Sequence, residues 1–133
     1  MKAGLLVVLF AFCLSALASC ARDVYPKYLR MKQEAIWLEK TCLEGLAKET
    51  EYTYKGTGAY IKIRCSKPLA MRPWMENLEM QLTNVGWQLK KREPDGDTYC
   101  LRNERIHLIV VPADDENLRT IGLRYPAGLC EAN

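Results

Sequence analysis

The chain is poor in the residues from which most small active sites are assembled. It has a single histidine, His107, among 133 residues, so any histidine-based acid–base pair or triad would have to be built around that one ring. No G-x-S-x-G turn is present, and no serine or cysteine stands out as its nucleophilic partner. No C-x-x-C pair occurs, which removes the common zinc and dithiol redox signatures. Asp114, Asp115 and Glu116 are consecutive, whereas calcium loops space their oxygen ligands, so they read as a solvated turn. Nothing in the spacing of the carboxylates argues for sugar cleavage. Glycosylation acceptors of the form N-x-[S/T], internal repeats and low-complexity tracts are also missing. A net charge of +3 is too mild to argue for nucleic acid. These absences leave no metal site, no cofactor and no catalytic set to expect, and the chain reads as non-enzymatic.

What is present begins with one apolar run. Gly4 to Ala18 follows Met1-Lys2 without a charge and gives way at once to "ARDVYPK". A spanning helix needs about 20 apolar residues, so this is a secretory leader. Its end has two readings. Ala16-Leu17-Ala18 fits ordinary signal peptidase, which wants small side chains flanking one residue. Leu17-Ala18-Ser19-Cys20 resembles the lipobox of bacterial lipoproteins. That resemblance implies a leader of residues 1–19 and a Cys20 that is thioether-linked to diacylglycerol and becomes the first residue. With Ala21 rather than Asp behind it, it also implies delivery to the outer membrane, facing the periplasm. Cysteine parity favours the lipobox. Of six cysteines, Cys13 leaves with the leader, and lipidation of Cys20 leaves the even set Cys42, Cys65, Cys100 and Cys130 for an oxidising compartment. In a eukaryote the leader would be an ordinary one and the odd cysteine could pair between chains.

Removing nineteen residues leaves 114 and a charge of +2, enough for one small domain. Residues 20–27 read as the lipidated cysteine and a tether reaching roughly 25 Å, and residues 28–133 as the domain. Tyr28, Met31, Ala35, Leu38, Cys42 and Leu46 recur at steps of three and four and predict an amphipathic helix to about Lys48. Ile36 and Leu43 widen its stripe, while Trp37 falls on the polar side. Ala59, Ile61, Ile63 and Cys65 alternate as a half-buried strand. A second helix follows, with Pro73 in its first turn, one face of Trp74, Met75, Leu78, Leu82 and Val85, and Gly86 as its stop. "WQLKKRE" turning through Pro94-Asp95-Gly96 into "TYCLRN" is a hairpin signal. "RIHLIVV", a polar loop "PADDEN" and "RTIGLRY" complete the chain. The expected fold is a two-layer α+β sandwich in the order α-β-α-β-β-β-β. Two helices cover one face of a mostly antiparallel sheet of about five strands, with the other face wet.

Four cysteines allow three pairings. Cys42 on the helix stripe and Cys65 at a strand end favour a helix-to-sheet bridge, leaving Cys100 to hold the C-terminal tail through Cys130. His107 points opposite to Ile106, Leu108 and Val110 and reads as solvent-facing. Residues 55–105 carry ten basic and six acidic side chains, while residues 106–133 carry two and four. The candidate contact surface is accordingly a basic outer sheet face of Lys62, Arg64, Lys90, Arg92, Arg102, Arg105 and Arg124, with Trp37 as a separate candidate on the helix. Such a face could meet anionic headgroups, other anionic envelope components or an acidic protein. The expected role is a membrane-anchored accessory or interaction module. A ligand-binding or inhibitory module is the alternative, and an envelope hydrolase a more distant one.

Overall fold

The computed structural model describes residues 24–66, 71–115 and 118–130. Helix α1 spans residues 24–41 and is followed by β1 (Ala47–Lys55), β2 (Gly58–Ser66), α2 (Met71–Asn84), β3 (Trp87–Glu93), β4 (Gly96–Leu101), β5 (His107–Asp115) and β6 (Leu118–Tyr125). A short 3-10 turn, Gly128–Cys130, comes last. The six strands form one sheet in the order β1-β2-β6-β5-β4-β3, antiparallel at every pairing. The α+β class and the antiparallel sheet are as expected. The strand count and order are not: β1 is an additional strand, so the chain runs α-β-β-α-β-β-β-β.

The residues of β1 explain why it escapes the hydrophobic pattern. One side presents Thr50, Tyr52 and Tyr54 and the other Glu49, Glu51, Thr53 and Lys55, as fixed by their partners in β2. Tyr and Thr favour strands through packing on a half-buried surface, yet neither side carries an aliphatic row. Instead Tyr54 meets the rings of Tyr25 and Tyr28 on α1 at 5.7 and 5.2 Å. The Thr50 hydroxyl donates to Glu39. The turn Gly56-Thr57 then leads into β2.

The described part of α1 opens at residue 24, with Val24 already buried. Residues 24–27 therefore belong to the domain rather than to the tether. The helix also ends earlier than Lys48. The Leu43 N–H reaches back five residues to the Leu38 carbonyl (2.9 Å), and a second turn closes from Ala47 to Leu43 (3.0 Å). Gly45 carries the φ of +74° inside that turn, a conformation glycine adopts without steric cost. The buried stripe runs through Met31, Ala35, Leu38 and Leu43. It includes Glu34, whose carboxylate accepts from Trp87 Nε1 at 3.2 Å and pairs with Arg30 at 3.0 Å. Ile36, expected inside, is 41% exposed. Helix α2 has Pro73 in its first turn and stops ahead of Gly86, as expected, and buries Leu78 and Leu82, but Val85 is exposed. It carries the chain from β2 to β3, which run in the same direction with β6, β5 and β4 between them.

The core lies between the helices and one side of the sheet. It is filled by Ile61 and Ile63 of β2, Trp87, Tyr99, Leu108 and Val110, and Ile121 and Leu123 of β6. Burying each such aliphatic side chain contributes about 1.5–3 kcal/mol.

Candidate functional site

Among the described residues, the side of the sheet turned away from the helices is covered only where the C-terminal turn packs on β4, and strand register decides what lies on the rest. Because Ile61, Ile63, Ile121 and Leu123 point inward, their neighbours Tyr60, Lys62 and Arg64 of β2 and Thr120, Gly122 and Arg124 of β6 point outward. In register, Tyr60 lies beside Arg124, Lys62 beside Gly122, and Arg124 beside His107.

The expected basic residues do not all gather there. Lys62, Arg64 and Arg124 are on the outer face. Arg64 faces Glu49 of β1, with Arg64 Nη1 3.8 Å from Glu49 Oε2, and Lys62 stands opposite Glu51. The strand that the sequence pattern hides thus brings carboxylates to offset these two cations. In β3, Leu89 pairs with Tyr99 and Lys91 with Thr98, so Lys90 is the extra residue of a bulge. The bulge reverses the phase of everything after it. Lys91 shares the outer side with Thr98, while Arg92 turns to the helices and binds Glu79 of α2 at 2.9 Å and Asp97 at 3.5 Å. Arg92 is therefore a tie between α2 and the sheet and not a contact residue of the outer face. Lys91 in turn pairs with Glu93 at 2.6 Å. Arg102 and Arg105 are not on strands either; they occupy the exposed loop between β4 and β5, where Arg105 holds a φ of 54°. Trp37 is half-buried at the margin of the core on α1, not a free aromatic on a polar surface.

The cysteines divide. Cys100 and Cys130 form a disulfide, pinning the C-terminal turn on the outer side of β4, where Cys100, Ala127 and Cys130 are buried together. Cys42 and Cys65 do not pair. Cys42, just past the end of α1, directs its thiol to Gln81 Oε1 of α2 (3.2 Å). Cys65 points into the core and donates to the Arg119 carbonyl (3.3 Å). Burial pushes both thiols up to about 11, so each is protonated and unreactive at neutral pH. His107 lies between the bridged Cys100 and Arg124. Burial, and then the guanidinium of Arg124, hold its pKa below the ordinary histidine value.

A cleft of about 510 Å³ opens on this face at the turn between β1 and β2, within the size range of small-ligand sites. Its lining comprises Thr53 and Lys55 of β1, Thr57, Gly58 and Tyr60 around the turn, and Arg124 with Tyr125 and Pro126. The Tyr60 ring lies across Gly122, where a Cβ would come within 3.0 Å of the phenolic oxygen. The bare backbone at Gly122 thus lets the ring lie flat along the sheet. The lining holds two cations, four hydroxyl-bearing side chains and no carboxylate. Of these residues only Arg124 was legible as a candidate. Lys55, Thr57 and Tyr60 belong to "TYKGTGAY", where a two-residue turn between alternating segments was the available signal.

Cys20 and the leader lie outside the described residues, as do the side chains of Asp114 and Asp115 and the whole of Glu116. β5 runs through Asp115, so the first two acids sit on a strand rather than in a loop. Among the described residues, no cluster of His, Cys, Asp or Glu is gathered to hold a metal, and no helix is long and apolar enough to cross a membrane. No protein-family model, curated protein or solved structure matches the chain.

Proposed function

We propose that this chain is a small lipoprotein of a Gram-negative envelope, anchored through Cys20 in the outer membrane and facing the periplasm, and that it works as a non-enzymatic binding module through the open face of its sheet. The observation that carries the reading is the one-sidedness of the sheet: two helices cover one face, and the other presents Tyr60, Lys62, Lys91 and Arg124. Antiparallel sheets tolerate a wet face, so exposure alone is not a function. Here it is combined with a concave cleft lined by donors, which favours recognition of a ligand or partner over a merely solvated surface. The neighbours of His107 support a non-catalytic role. One is locked in a disulfide and the other is a cation, so neither can orient the ring as a general base, and Glu49 and Glu51 stand three strands away on β1.

The tether is short on this reading. Val24 is already buried in the domain, and four residues of chain span at most about 14 Å, so a lipid on Cys20 would hold the domain against the headgroups. Two measurements test the proposal. Mass analysis of the mature N-terminus should find a triacylated or diacylated Cys20, and an unmodified or absent Cys20 would overturn the anchor. Photo-crosslinking residues at Lys62 and at Trp37, introduced separately in living cells, should give discrete adducts from Lys62 and none from Trp37. Adducts from Trp37 alone would move the contact surface to the helices.

A further inference from the structure

We propose that the end of the domain at which α1 begins is a membrane-docking surface, and that its cleft seats the phosphate of an anionic lipid headgroup on Lys55 and Arg124. The inference rests on the anchored reading above and names the partner of the same face.

Four observations converge on that end. The first is position. Tyr25 and Tyr28, in the first turns of α1, contact Tyr54, and Lys27 Nζ lies 6.0 Å from the centre of the Tyr125 ring. Tyr54 precedes Lys55 and Tyr125 follows Arg124, so the start of α1 and the cleft share one end of the molecule. Whatever residues 1–23 are attached to, they enter the domain there.

The second is charge. The segments meeting at this end are residues 24–28, 55–58, 102–107 and 124–130. Among the described residues, they carry Lys27, Lys55, Arg102, Arg105 and Arg124 against one carboxylate, Glu104, which Lys27 already holds. Neither Lys55 nor Arg124 lies within ion-pairing distance of a described carboxylate. Cations near an anionic bilayer surface are attracted to it within a Debye length.

The third is the chemistry of the cleft. An ammonium-bearing and a guanidinium-bearing side chain, Lys55 and Arg124, line one concavity with Thr53 and Thr57, and Tyr60 borders it. A phosphodiester offers more acceptor oxygens than a carboxylate and uses such a set of charge-assisted and hydroxyl donors more fully. The fourth is the aromatic surround. Tyr25, Tyr54 and Tyr60 are 52%, 43% and 38% exposed, and tyrosine is enriched where an apolar ring and a polar tip meet the headgroup layer.

The test uses the full-length acylated chain in nanodiscs of phosphatidylethanolamine and phosphatidylglycerol. A photo-crosslinking residue replaces Thr57 at the lip of the cleft, and in a second preparation it replaces Glu44 at the far end of α1. Lipid adducts are expected from Thr57 and not from Glu44. They should fall by roughly thirty-fold in Lys55→Gln/Arg124→Gln, as the loss of two surface cations implies, and recover in Lys55→Arg/Arg124→Lys. Equal adducts from both positions, or adducts indifferent to the double substitution, overturn the docking. So does a cleft that takes up inorganic phosphate and yields no lipid adduct. Failure of the anchor is read separately, as an unacylated Cys20. The same chain is then sedimented with vesicles of phosphatidylglycerol and phosphatidylcholine. Binding that the double substitution weakens supports the docking surface without the anchor, and its absence removes both.

Discussion

Breaking the Cys100–Cys130 bridge by Cys130→Ser perturbs one thing that can be sized from the chain itself. The cysteines are 30 residues apart, and closing a loop of that length removes about 12 cal/mol/K from the unfolded ensemble, or about 3.7 kcal/mol at room temperature. Small domains hold about 5–15 kcal/mol in all, so the bridge supplies a large share. The bridge also fixes Ala127 and Pro126, the latter a wall of the cleft. In urea, with a slope of about 1.5 kcal/mol per molar, the midpoint should fall by roughly 2.5 M. Reduction of the wild type should reproduce the shift. Cys42→Ser and Cys65→Ser provide the contrast, since both side chains are thiols in the fold and reduction should not alter their effect. Thiol titration of the mature chain in denaturant without reductant should count two groups, Cys42 and Cys65, when Cys20 is acylated. A count of zero would mean that Cys42 and Cys65 are bridged after all. A count of four, or a midpoint that reduction leaves unmoved, would refute the argument.

Two further outcomes follow from local geometry. Gly96→Ala should destabilise the domain more than Gly45→Ala, by about 2–4 against about 1 kcal/mol in the same urea assay. Gly96 has a φ of +147° and a Cβ there would lie 2.8 Å from the Val110 carbonyl oxygen, whereas Gly45 has a φ of +74° and open space. Because the pKa of His107 is depressed in the folded state by burial and by Arg124, its contribution to stability is complete above the unfolded value of about 6.5. It is lost as pH falls from there through the folded value, where the unfolded chain binds the extra proton. Arg124→Gln should raise the His107 pKa in an NMR titration; a value that stays put would leave burial as the sole cause.

The helices and five of the strands were legible because their patterns are those of one-sided burial. Steps of three and four mark Met31, Ala35 and Leu38, and alternation marks Ile61, Ile63 and Cys65. β1 was not, because an outermost strand meeting a helix through tyrosines and a threonine has no aliphatic row to display. The outer face was half legible for a related reason. Alternation assigns Lys62, Arg64 and Arg124 correctly, but a single inserted residue at Lys90 turns Arg92 over to α2, and nothing in "WQLKKRE" announces the insertion. The thiols show the limit of parity arguments. An even count permits Cys42 to reach Cys65, but the chain turns after Leu43 and aims Cys42 at α2 instead. The cleft depends on a turn, a bare glycine and residues from the middle and the C-terminal part of the sequence, and only the folded register brings them together.

The bulge at Lys90 has a consequence for molecules held side by side on a surface. A six-stranded open sheet has two unpaired rims, and each offers a ladder of N–H and C=O groups to another copy. On the anchored reading proposed above, tethering would confine the copies to a plane and raise their encounter frequency. On β3 the inserted residue breaks the spacing of that ladder where Lys90 and Lys91 would confront the same cations on a neighbour, and on β1 the rim carries Glu49, Glu51 and Lys55. On that reading, copies crowded in one plane would be discouraged from joining edge to edge through these two rims.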